Sequence, residues 1–209
     1  MKKVEGNSRI VRRTLNPGRG FSTVEMAVVV AIIFIICIMA IPELRYILQN
    51  AQSDSAARVV LAQLRQAREY SIANRRYVQV TFPVIGGTSN IQFQIKNSLT
   101  PGAGADAAPV AVPLPVIFAF RTFGTVPDTP DGFGNVGGIT FEGAAGGPAG
   151  GMYFQSDGEL VDALTFLPIN GTVFIGQLNQ PKSARAVTVL GATGRFRSWK
   201  NAGTSWFMF

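Results

Sequence analysis

At 209 residues the chain has room for one domain core with appendages, and not for two independent cores. It holds no histidine and one cysteine, Cys37, which excludes a disulfide within the chain, a Cys-x-x-Cys redox pair and a thiolate metal cluster, and leaves acid–base chemistry to carboxylates, lysines and hydroxyls. The formal charge of +7 is mostly local: residues 1–20 carry six basic side chains against Glu5, the other 189 residues hold only +2, and global basicity is therefore no argument for a nucleic-acid partner.

The first element in chain order is that basic stretch, followed by an apolar run over residues 26–42. A secretory signal has the same order, but its apolar part ends in small residues at a cleavage site, whereas this run continues into a further helical pattern. The change in composition comes earlier, within Gly18-Arg19-Gly20-Phe21-Ser22-Thr23-Val24-Glu25. There Gly20 allows close approach to the backbone and helix formers begin. Cleavage after Gly20 removes residues 1–20 as a leader and keeps residues 21–42 as a transmembrane or filament-core helix. At 1.5 Å per residue, residues 26–42 span about 25 Å, and the residues from Phe21 onward extend this towards a hydrocarbon core about 30 Å thick. Cys37, inside the run, reads as a small apolar residue. Glu25 is the anomaly: a carboxylate on a lipid-facing helix costs about 2.5 to 3.5 kcal/mol, so a cationic partner or the helix N-terminal dipole must offset it.

Residues 43–76 form a predicted amphipathic helix. Ala57, Val60, Leu61, Leu64, Ala67 and Ser71 recur at helical spacing as a narrow face suited to packing on a sheet. Arg58, Arg65, Arg68, Arg75 and Arg76 lie on other faces, with Arg65 and Glu69 spaced for an i,i+4 pair. Beyond them, residues 77–209 read as an antiparallel β-rich domain. Residues 77–82 and 91–95 alternate with period two and form a hairpin broken by Pro83 and Gly86-Gly87. Further strands are expected at 116–121, 139–142, 152–155, 172–177, 186–190 and 196–199. Residues 101–151 hold 12 glycines and 7 prolines and are predicted to be long mobile loops, with strands passing near Ile117 and Ile139. Gly132-Phe133-Gly134-Asn135-Val136-Gly137 superficially matches a nucleotide-binding loop but has no helix pattern after it to present amides to phosphate. Trp206-Phe207-Met208-Phe209 is expected to pack as an extra strand or core plug, with partner docking as the alternative.

Gly20-Phe21-x-x-x-Glu25 followed by an uncharged apolar run resembles the class III signal of type IV prepilins and pseudopilins. Pro42 falls where many of these have a helix-kinking proline, and Thr23 departs from a position that is often apolar. The helix-to-strand junction with Leu64, Arg68, Ser71 and Asn74, the segment Phe154-Gln155-Ser156-Asp157-Gly158, the following strand over residues 173–176, and Arg185-Ala186-Val187-Thr188-Val189 leading to Gly194-Arg195 are similar to the GspH/FimT group of minor pilins and pseudopilins. The resemblance implies an α+β fold in which a long N-terminal helix packs on an antiparallel sheet. It also implies cleavage by a prepilin peptidase between Gly20 and Phe21, methylation of the new Phe21 amine, and pairing of Glu25 with the Phe21 amine of a neighbouring pilin or pseudopilin. The implied location is the bacterial inner membrane, crossed once with the C-terminal domain on the periplasmic or outer side, and then a type IV pilus or a type II secretion pseudopilus.

Gly194-Arg195-Phe196-Arg197 resembles the Gly-Arg-x-Arg element of DNA-binding minor pilins used in natural transformation. On a strand, Arg195 and Arg197 share one face about 6.6 to 6.8 Å apart, with Phe196 turned to the core. Lys200 is a candidate third phosphate contact and Trp199 a candidate stacking surface. Exposed arginines after a Gly turn also arise as plain solvation of a sheet, and a type II secretion tip-region pseudopilin needs no DNA. The rival class is a membrane-anchored hydrolase built on Asp157, Glu159 and Asp162. No nucleophile arrangement, cofactor or metal site is expected, and the chain is read as a structural subunit and not an enzyme.

Overall fold

A computed structural model describes residues 20–97, 106–148 and 151–209. It separates into two compact units, residues 1–44 and residues 45–209, and the fold is α+β with antiparallel sheets. The first unit contains, among its described residues, the opening part of helix α1, Thr23–Asn74. Ser22 caps it: its hydroxyl accepts from the Val24 amide at 3.4 Å and its carbonyl from the Met26 amide at 3.1 Å.

The second unit begins with the rest of α1. Ala57, Val60, Leu64, Ala67 and Ser71 are all buried, joined by Ser53 and Ala56, while Leu61 is half-buried at the edge of the face. The two buried serines donate to carbonyls of their own helix, Ser53 to Gln49 and Ser71 to Arg68, so the narrow face carries hydroxyls without orphaned donors. The helix stops at Asn74, two residues before the predicted boundary. Arg75 takes a left-handed conformation (φ 50°), and the Arg76 amide reaches back to the Ser71 carbonyl, a Schellman ending built without the usual glycine.

Two antiparallel sheets follow. The strands are β1 (Tyr77–Thr81), β2 (Val84–Ile85), β3 (Thr88–Lys96), β4 (Val110–Pro113), β5 (Phe118–Phe120), β6 (Ile139–Phe141), β7 (Ala144–Ala145), β8 (Met152–Phe154), β9 (Leu160–Asp162), β10 (Gly171–Gln177), β11 (Gln180–Leu190), β12 (Arg195–Asn201) and β13 (Trp206–Met208). The first sheet has the order β2-β3-β1-β8-β9, with β4 beside β3. The second has the order β13-β12-β11-β10-β6-β7, with β5 also on β10. The β1–β3 hairpin has Val78 opposite Ile95 and Val80 opposite Phe93. Its connection is more structured than a bare turn, because β2 pairs back on β3 across Gly86-Gly87, both at positive φ.

Strand parity fixes the layers. Val173, Ile175, Val187 and Val189 point to one side of the second sheet, into a core shared with α1 and with Val78, Val80, Ile91 and Phe154 of the first sheet. Phe174, Ala186, Trp199 and Trp206 point to the other side, where residues 123–126 cover them. That is why β10 is buried along its whole length. The described part of the glycine-rich middle is thus not simply a set of loop excursions: Leu114, Phe118, Val126 and Phe141 are buried, and it supplies β4, β5, β6 and β7. Residues 98–105 and 149–150 of that segment lie outside the described residues.

Candidate functional site

Two surfaces bear on function, one in each unit. In the first, residues Thr23–Ile41 form a helical segment of mean hydropathy 3.0 with none of it buried within the chain. Phe34 and Ile38 are 65% and 69% exposed, so the segment has no apolar partner among the described residues and is long enough to cross a membrane. Glu25 lies in its first turn. Ser22-x-x-Glu25 has capping-box spacing, yet no bond from Glu25 to the Ser22 amide forms, and its carboxylate has no partner among the described residues. Gly20 and Phe21 lie exposed ahead of the helix. Residue 42 is helical in backbone, and the side chain of Pro42 is outside the described residues.

The second surface surrounds Gly194. A 3-10 turn, Gly191–Thr193, ends in Gly194 at φ 58°, and β12 starts at once. A Cβ at Gly194 would meet the Gly158 carbonyl at 2.2 Å and Arg68 Nε at 2.4 Å, so glycine is required by backbone conformation and by close approach together. Arg68 causes the crowding: its Nε donates to the Gly158 carbonyl at 3.2 Å and its Nη2 to the Thr193 carbonyl at 3.1 Å. One helix guanidinium thereby ties the Asp157-Gly158 turn and the Gly191–Thr193 turn to α1.

Along β12, Arg195 and Arg197 do share a face, and Phe196 packs on the core from the other side. The four remaining expectations for this region divide. Lys200 is three residues beyond Arg197 and has the parity of Phe196, opposite Arg185 in the β11–β12 register, so it lies on the other face and does not join the pair. Trp199 is on the arginine side but 7% exposed; its indole N–H donates to Thr188 Oγ1 at 3.0 Å and to Asp131 at 3.3 Å, leaving no face for a base. Arg197 is held by a short ion pair from Nη1 to Asp131, whose other oxygen accepts from Thr188 at 2.5 Å. Of the four, Arg195 alone is exposed and has no hydrogen-bond or ion-pair partner among the described residues: it borders a groove of about 300 Å³ with Arg65, Arg68 and Glu69. Arg65 and Glu69 do not pair despite their spacing.

No protein-family model matches the chain, and no curated protein does. One solved structure is similar in fold. It is that of the minor pseudopilin EpsH from the type 2 secretion system of Vibrio cholerae, 17% identical, with a TM-score of 0.43, covering 71% of this chain and 97% of that one.

Two residues that organise the second unit carry no signal in the sequence. Asp131 was hidden in a Gly/Pro-rich segment with no pattern to show that it reaches Arg197, Thr188 and Trp199. Arg185 stands just before the strand expected at 186–190, and nothing local marks it as buried. It is fully buried, with Nε donating to Asp54 at 2.6 Å and Nη1 to the Ala184 and Lys182 carbonyls, and it fastens β11 to α1. The acidic residues proposed for a hydrolase do not gather. Asp157 caps the Glu159 amide and Asp162 accepts from the Leu164 amide and Thr165 hydroxyl, as turn carboxylates do, and no metal-holding group of acidic residues occurs among the described residues. In the Gly132–Gly137 loop, the Gly134 amide is occupied by Asp128.

Proposed function

We propose that this chain is a minor pilin or pseudopilin, a structural subunit that rests in the inner membrane and is drawn into a type IV pilus or type II secretion pseudopilus. The observation that carries this reading is the Thr23–Ile41 segment. It is apolar on all sides, unburied, and carries one carboxylate, Glu25, that has no partner among the described residues. A helix of that kind needs lipid in one state and other apolar helices in another, and its carboxylate needs a cation supplied from outside the helix. Gly20 and Phe21 precede it as the proposed prepilin peptidase site, and the α-amine freed at Phe21 of a neighbouring subunit is the proposed partner of Glu25. Nothing in this role requires bond-making chemistry. The test is recovery of the chain with sheared filaments or with the secretion apparatus: the wild type should co-purify, Glu25→Leu should remain in the membrane fraction, and equal recovery of both would refute the pairing.

A contact with DNA backbone is a second element of the reading. It is supported by Arg195, exposed and unpaired beside Arg65, and it differs from the expectation of a three-cation strand face because Asp131 occupies Arg197 and Lys200 points away. Guanidinium groups match phosphate bidentately and do so without base readout. Duplex DNA binding by the full chain should weaken, with a salt slope reduced by about one, on Arg195→Ala. An unchanged slope would remove Arg195 from the contact.

A further inference from the structure

One end of the second unit is aliphatic and open. β10 stops at Gln177, opposite Phe118, so Val116 and Ile117, which precede β5, run past the end of β10. Together with Leu178, Gly87 and Ser89 they line a hollow of about 450 Å³. Val84 and Ile85 stand beside it, paired with Ser89 and Thr88. All five aliphatic side chains are exposed, Val116 by 85% and Leu178 by 65%. The β10–β11 turn carries this end face across to α1, because residues 179–183 share a second hollow, about 600 Å³, with Gln49, Asn50 and Ser53. Ile47 and Leu48, just before Gln49 on the helix, are exposed as well.

Exposed apolar groups gathered in one place mark a contact surface, and the company they keep separates a protein partner from lipid. Protein-docking cores are enriched in aromatic residues, and no exposed aromatic side chain lines either hollow. The charged residues are Lys182, exposed, and Arg121, half-buried; neither has an ion-pair partner among the described residues, and no carboxylate lines either hollow. Aliphatic groups accompanied by cations and no anions suit the headgroup–acyl boundary of an anionic bilayer. The chain also limits how far away that bilayer can be. The membrane-length segment ends at Ile41, eight residues before Gln49, and eight residues reach at most about 29 Å even when fully extended. Whatever the angle between the two units, a membrane holding Thr23–Ile41 is tethered within that reach of the α1 side of the end face, and contact with it is an intramolecular event. A second polypeptide has no such tether.

We propose that this end of the second unit is a lipid-contact surface that rests on the membrane crossed by α1. Val84, Ile85, Val116, Ile117 and Leu178 enter the headgroup–acyl boundary, and Lys182 and Arg121 face anionic headgroups. The inference rests on reading Thr23–Ile41 as a membrane span, and it adds a second contact by which the β-rich unit is laid against the bilayer. It is independent of leader cleavage and of DNA.

The test places a nitroxide on the full chain, carrying Cys37→Ala, through Leu178→Cys or Val116→Cys, and through Ala192→Cys as the control. All three positions are exposed, and Ala192 lies beyond the far end of β11, about 35 Å along the strand. The chain is reconstituted into phosphatidylcholine vesicles with and without phosphatidylglycerol, and collisions of each label with oxygen and with a water-soluble nickel chelate are compared. Labels at 178 and 116 should lose access to nickel and gain access to oxygen, more so with phosphatidylglycerol, while the label at 192 stays open to nickel. Lys182→Glu should reduce the dependence on phosphatidylglycerol. Flotation of the same vesicles reports the span separately. A chain that floats with all three labels equally open to nickel would overturn the lipid contact and leave the span standing, whereas a chain that does not float would overturn both. Shielding at 178 and 116 that arises only in assembled filaments would give the face to a neighbouring subunit and also overturn the proposal.

Discussion

Asp131 offers the sharpest perturbation of the second surface. Its carboxylate, 9% exposed, accepts from Thr188, Trp199 and Arg197, and so neutralises a guanidinium that would otherwise stand beside Arg195. Asp131→Asn keeps one carbonyl acceptor and removes the charge. Hydrogen bonds to charged groups contribute about 1.5 to 3 kcal/mol. Arg197 is 35% exposed and can be rehydrated, so the expected loss of stability is nearer the lower end, about 1 to 2 kcal/mol. Trp199 and Thr188 retain their mutual bond at 3.0 Å. For DNA the change has the opposite sign. One freed guanidinium adds about one phosphate contact, steepening the log–log salt slope by about 0.9, which at 0.1 M salt corresponds to about eightfold tighter binding. Fluorescence anisotropy on a labelled duplex across a salt series reads both quantities. Tighter, more salt-sensitive binding in a slightly less stable protein is the expected pair of results; a folded Asp131→Asn protein with unchanged slope would show that Arg197 does not reach phosphate and would refute the reasoning.

The other predictions concern what holds the domain together. Asp54→Ala leaves Arg185 buried with its charge uncompensated and should cost about 3 kcal/mol, the low end for a broken buried pair because Asp54 is 26% exposed, whereas Arg185→Met should be far milder; urea unfolding followed by the emission of the buried Trp199 and Trp206 reads both. Gly194→Ala should destabilise by about 2 to 4 kcal/mol through left-handed strain and displacement of Arg68, against about half that or less for Arg68→Met; a neutral Gly194→Ala in the same assay would remove the steric account of that glycine. The hydrogen bond and ion pair from Lys96 hold the Asp106 carboxyl below its ordinary value of 3.8. A lowered carboxylate pKa adds stability that is present above pH 3.8 and lost as pH falls through the folded value, so Lys96→Met should lower stability near neutrality, leave it unchanged in strong acid, and thereby flatten the acid limb of the stability–pH profile.

Legibility in the sequence followed locality. The helix face from Ala57 to Ser71 and the β1–β3 hairpin announce themselves by period, because each buries a face whose spacing the backbone dictates, whereas the strand expected at 172–177 is buried on both faces and shows no alternation. The helix end at Asn74 was harder to place, since its left-handed residue is Arg75 and not a glycine. The short strands β4, β7 and β9 have too few residues for a period to be visible, and they are defined by pairing with β3, β6 and β8. At the candidate site, the shared face of Arg195 and Arg197 follows from strand parity, and the same parity separates Lys200 from them once β12 is seen to run unbroken to Asn201. What neutralises Arg197, occupies Trp199 and buries Arg185 comes from Asp131 and Asp54, 66 and 131 residues away, where no local pattern reaches.

The account rests on one helix serving first in lipid and then among its own kind, and the step between the two leaves a chemical mark. Mass analysis of the chain's N-terminus, in cells with and without a prepilin peptidase, reads that mark directly. The account predicts a mature chain beginning at methylated Phe21 only where the peptidase is present; a chain that begins elsewhere, or that begins at Phe21 in both, would contradict it.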